Sequence, residues 1–68
     1  MARKNGTPPV TEKMAAAIKW LLNKTDMAQH DIAAVFHINQ GRISEVNTGK
    51  RFAHVPAIDP RDLGWTLN

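Results

Sequence analysis

Sixty-eight residues with nine Lys and Arg against six Asp and Glu carry a net charge of +3 and no cysteine. A chain this short makes one domain that buries only about 60% of the surface it exposes when unfolded, and the missing cysteine excludes a disulfide framework or a thiolate metal site as its support. No apolar run approaches a secretory signal or a membrane span, so the chain reads as cytoplasmic, with homodimerisation as the remaining source of stability.

Residues 1–10 (MARKNGTPPV) hold Arg3, Lys4, Gly6 and the pair Pro8-Pro9, a composition that predicts a flexible basic arm. Thr11 is a helix N-cap, and Glu12 stands in the first turn, where the helix dipole favours an acid. Met14, Ala17, Ile18, Leu21 and Leu22 fall at i, i+3, i+4, i+7 and i+8, which predicts a first helix over Glu12 to Asn23. Lys13 and Lys19 lie away from that stripe, and Trp20 lies beside it. Lys24-Thr25-Asp26 breaks the pattern with cap-type side chains. Ala28, Ile32, Ala33, Val35 and Phe36 then return to helical spacing and predict a short second helix over 28–36. His37-Ile38-Asn39 is a tight turn. Asn39 caps a third helix over 40–48, whose apolar face is Ile43 and Val46 and whose stop is Gly49.

Beyond Gly49, Pro56 excludes a helix and biases Val55 towards extended backbone. Asp59-Pro60 reads as an N-cap and first residue of a short helix ended by Gly64. The elements together predict an all-α, compact three- to four-helix bundle. It has the arm at 1–10, a helical domain at 11–58 and an irregular tail at 59–68 that forms a short helix or a dimer contact. Phe52, Val55, Ile58, Trp65 and Leu67 either fold back over the core or pair with a second subunit.

The most informative stretch is Gln29 to Thr48, QHDIAAVFHINQGRISEVNT. Two short helices joined by so short a turn cross steeply only where a small residue sits at the crossing and an apolar residue in the turn plugs the core. Ala33 and Ile38 meet those two conditions. Ile32 and Phe36 on one helix face Ile43 and Val46 on the other. With these positions in register, the segment resembles the helix-turn-helix of the phage repressor and Cro class, with the first helix as its support. The family usually has glycine at the start of the turn, where the backbone favours positive φ; this chain has His37, one of the non-glycine residues enriched there. The resemblance implies a double-stranded DNA partner and a homodimer on a palindromic operator.

With Ile43 and Val46 inward, the third helix presents Gly41, Ser44, Glu45 and Thr48, flanked by Gln40 and Arg42. These are the expected base-reading residues: Gln suits adenine, Arg suits guanine, and Glu accepts from the cytosine amino group. Gly41 lets the backbone approach DNA closely, at about 1 kcal/mol of helix propensity. Lys50 and Arg51 follow where the helix end nears the phosphates. Gln29 and Asn39, at the starts of the second and third helices, complete the expected phosphate contacts, Gln29 on the family resemblance. Arg3 and Lys4 are the candidates for a minor-groove arm. Asn47 is expected to face inward and join the turn's hydrogen bonding.

The function expected from this pattern is a sequence-specific transcription regulator, a repressor of a phage or other mobile element. Two alternatives stand beside it: a recombination or excision accessory factor that bends DNA, and an anti-activator that binds a protein. A basic charge and a polar third-helix face argue against the last. An enzyme is not expected, because His30 with Asp31 and His54 with Asp59 have no spacing that carries a mechanism, and so small a helical chain has little room for a pocket. No metal, cofactor, small-molecule ligand or membrane is implied.

Overall fold

The computed structural model describes residues 10–64, which form three α-helices and a closing 3-10 turn, with no strand among the described residues. Helix α1 spans Glu12–Lys24, α2 Gln29–Phe36 and α3 Gln40–Thr48, and the 3-10 turn is Pro60–Leu63. Arg3, Lys4 and the rest of the expected arm before Val10 lie outside the described residues, as do Trp65 and Leu67.

The start of α1 is set by Thr11, whose hydroxyl accepts the Met14 N–H at 3.1 Å. Thr25 ends it, donating both its N–H and its hydroxyl to the Leu21 carbonyl, at 3.2 and 2.6 Å. That double closure carries α1 one residue past Asn23. Thr25 and Asp26 therefore leave α2 without a side-chain cap; its N-cap is Ala28, which is exposed. Ile32, Ala33 and Phe36 bury the inner arc of α2, whereas Val35 is 39% exposed. At 100° per residue, Val35 and Ala28 each lie roughly 90° or more from the centre of that arc, which is why they drop out of the expected apolar face.

His37 stops α2 in the left-handed conformation, φ 59° and ψ 40°. The bend lets Ile38 donate to the Ala33 carbonyl at 3.0 Å and bury its side chain in the core. This is a helix-ending cap in which an apolar residue after the bend packs back on the helix. Asn39 then opens α3 by accepting the Gly41 N–H at 2.6 Å, and Gly49 closes it at φ 81°.

Ile18, Ile32 and Ile43, one from each helix, are fully buried and belong to one hydrophobic core. Ala15 and Ala16 are buried as well, outside the stripe that spacing alone marks on α1. They are covered because the chain after α3 returns across α1: the Ile58 N–H donates to the Ala16 carbonyl at 3.1 Å. Pro60 is buried, and Leu63 packs on the core. Small alanines are what allow a backbone to lie so close to a helix. Residues 59–64 thus belong to the packed body, with Asp59 capping the 3-10 turn through the Arg61 N–H at 2.9 Å.

Candidate nucleic-acid interface

Helix α3 buries two of its nine residues, Ile43 and Val46. Gln40, Gly41, Arg42, Ser44, Asn47 and Thr48 are exposed, and Glu45 is half-buried. The outward face therefore carries hydroxyl, amide, guanidinium and carboxylate groups and no apolar side chain. This is the set of residues marked by spacing, with Asn47 added. Asn47 is exposed beside Asn23 and Thr48 at the edge of an open-sided cavity of about 260 Å³ between α1 and the end of α3. It is not turned inward, because at 100° per residue it sits on the flank of Ile43 away from Val46.

The groups on this face are not equally available. Arg42 Nη1 donates to both oxygens of Glu45, each at 3.1 Å. Arg51 Nη1 approaches the same carboxylate at 3.8 Å, and its guanidinium lies 5.1 Å from the centre of the Phe52 ring. The Thr48 hydroxyl donates back to the Ser44 carbonyl at 2.9 Å, so it meets a ligand chiefly as an acceptor. Asn39 uses its side-chain oxygen on the Gly41 N–H, which leaves its amide NH2 as a donor. Gly41 also has a structural reason: a Cβ there would stand 3.0 Å from Asn39 Oδ1, inside the cap. Close approach of DNA is not needed to explain it.

Lys50 and Arg51 leave α3 on a fixed backbone. Their N–H groups donate to the Glu45 carbonyl at 3.0 and 3.3 Å, and Phe52 follows at φ 59°. A cation absent from the expected site holds this stretch from the other side. Lys19 Nζ donates to the carbonyls of Phe52 at 2.5 Å and Val55 at 2.6 Å. Its partners are backbone atoms far along the chain, so no side-chain pattern announces them. Gln29 is the first residue of α2 and half-buried, and Ala28 offers the α2 N-terminus no side-chain acceptor.

Away from α3, the Arg61 side chain, helped by the Arg61 N–H, lowers the Asp59 carboxyl below its ordinary range. Asp59 in turn raises Arg61. Asp59 is therefore engaged with Arg61, and His54 pairs with Glu12 at 2.9 Å instead of with Asp59. His30 pairs with the neighbouring Asp31 at 3.3 Å, both exposed. Among the described residues no cluster of His, Asp and Glu is arranged to hold a metal ion, and no helix is long and apolar enough to cross a membrane.

Comparison with protein-family models, with curated proteins and with solved structures returns no match for this chain.

Proposed function

We propose that the chain is a sequence-specific double-stranded DNA-binding regulator, a repressor of the phage repressor and Cro type, in which α2, the turn and α3 act as a helix-turn-helix. The observation that carries this reading is the outward face of α3: a helix with two buried residues and an uninterrupted polar surface built of base-edge donors and acceptors. Two further observations support it. The connection between α2 and α3 bends at a left-handed His37 and is anchored by Ile38, which gives the pair of helices a fixed crossing. Basic residues Lys50 and Arg51 are held at the end of α3, where a helix lying in a major groove meets the phosphates.

In this reading Gln40, Arg42, Ser44, Glu45 and Thr48 face the bases, with Gly41 between them. The Asn39 amide, Gln29, Lys50 and Arg51 contact phosphates, and Arg3 and Lys4 reach an adjacent minor groove. Two copies bind a palindromic operator one helical turn apart.

Paired substitutions test these roles. Arg42→Ala should lose affinity for the preferred duplex by about 1–3 kcal/mol and lose far less for random duplex. Lys50→Ala should weaken both alike and shallow the salt dependence by about one unit. Equal losses on both duplexes for Arg42→Ala would make it a phosphate contact, and an unchanged salt slope for Lys50→Ala would remove Lys50 from the interface.

A further inference from the structure

Of the nine Lys and Arg, Arg3 and Lys4 fall before residue 10, so residues 10–64 carry seven against all six Asp and Glu. Long-range attraction from this body is therefore small, and how its cations are tied up decides what a phosphate backbone meets. Lys19 is held on two carbonyls and Arg61 on Asp59. Arg42 and Arg51 converge on one oxygen, Glu45 Oε1, at 3.1 and 3.8 Å. Glu45 holds Arg51 a second way, since its own carbonyl accepts the Arg51 N–H, and the Phe52 ring backs the guanidinium. One residue of α3 thus governs both arginines of the outward face.

We propose that Glu45 sets the discrimination of this face by holding Arg42 and Arg51 on its carboxylate until a duplex supplies replacement partners, base edges for Arg42 and Glu45 and a phosphate for Arg51. The proposal rests on the DNA-binding reading above. Against an arbitrary duplex, Glu45 repels the phosphates and withholds two guanidiniums from them, which leaves Lys50, with no ion pair among the described residues, as the cation at the end of α3 that meets them. Against a suitably placed guanine and cytosine, the partners exchange one for one. Arg42 moves to guanine O6 and N7, and Glu45 accepts from a cytosine amino group. No charge is stranded in the second case, whereas in the first, releasing Arg42 leaves Glu45 facing phosphates alone. Discrimination of this kind works by penalising the wrong partner as much as by rewarding the right one.

Glu45→Gln keeps the shape and removes the charge, and Asp62→Asn, on the 3-10 turn, makes the same change in net charge away from α3. Each is titrated, beside the wild type, with a random-sequence duplex and with the duplex that the wild type enriches from a random pool, over a range of salt. Glu45→Gln should bind random duplex about tenfold tighter, with a salt slope steeper by about one to two units as one or both arginines reach phosphates. Its affinity for the enriched duplex should change by less than about threefold, so the ratio between the two falls. Asp62→Asn should keep the wild-type ratio. Arg51→Ala added to Glu45→Gln should return part of the steepened slope. If Glu45→Gln matches Asp62→Asn in slope and ratio, Glu45 holds nothing back and the proposal is wrong while the DNA-binding reading stands. Duplex binding with no enriched sequence overturns it too, and leaves a protein that binds DNA without reading it. Failure of the wild type and Glu45→Gln alike to bind any duplex at low salt overturns both readings.

Discussion

His37 and Gly41 stand on either side of the step from α2 to α3, and each is the reverse of what helix statistics would choose. His37 takes φ 59°, a conformation in which an L side chain crowds the following carbonyl. It is exposed, and glycine there would relieve the crowding. His37→Gly should therefore stabilise the fold by roughly 1 kcal/mol, and His37→Val, β-branched at the same angle, should destabilise it by about that amount or more. Urea denaturation reads both; a loss of stability for His37→Gly would mean that the imidazole makes a contribution beyond the bend.

Gly41 is the opposite case, a glycine in a helical position where a side chain would crowd the cap beside it. Alanine ordinarily gains about 1 kcal/mol over glycine inside a helix. Here the new Cβ would press on Asn39 Oδ1 at 3.0 Å and disturb the α3 cap. Gly41→Ala should thus gain less than about 0.5 kcal/mol in the natural chain and about 1 kcal/mol once Asn39→Gly has removed the side chain. Equal gains in the two backgrounds would show that the cap and the glycine are independent. From the sequence alone this glycine invited a functional explanation, because the neighbour that needs the space is visible only when Asn39 is seen to fold its oxygen back over the helix start.

At the scale of the elements, what was legible is what is local. Thr11 and Asn39 act as N-caps where they were expected, Gly49 closes α3, and the core positions of α1 and α3 follow the helical repeat. The misreadings came where tertiary contacts decide. Ala15 and Ala16 lie outside the stripe that spacing marks yet are buried, Ala16 beneath the backbone of Ile58, whereas the short helix expected between Asp59 and Gly64 is present as the 3-10 turn. Arg42 and Glu45 at i, i+3 are readable as a pair; Arg51 joining them depends on the turn after Gly49. Lys19 is the clearest omission. A lysine away from the apolar stripe looks like solvated surface, yet it bridges α1 to the carbonyls of Phe52 and Val55, which are 33 and 36 residues away in sequence. Lys19→Met should leave those acceptors with water at best, destabilise the protein by about 1–3 kcal/mol, and speed hydrogen exchange at the Val55 amide. Unchanged stability and exchange would reduce the contact to a surface adornment of the loop.

The described body combines a hydrophobic core, with Ile18, Ile32 and Ile43 fully buried, with cations that are mostly engaged: Lys19 on two carbonyls, Arg42 and Arg51 on Glu45, and Arg61 on Asp59. Arg3 and Lys4 contribute two of the three net positive charges. The proposed regulator would accordingly rely on a fitted α3 face, on the basic N-terminal residues and on doubling by a second copy, more than on a broad basic field. Such a division favours discrimination over bulk affinity, since phosphate contacts raise affinity for all sequences together. It also states what would fail first if the partner were a protein: neither base sequence nor salt would order the binding.

Selection from a pool of random duplex DNA at about 0.15 M salt, near the physiological level, with sequencing of what the protein retains, tests this most directly. A sequence-reading dimer enriches a motif with two-fold symmetry and half-sites about one helical turn apart. Retention of no duplex at all would contradict the DNA-binding reading and leave the polar face of α3 to a partner other than DNA.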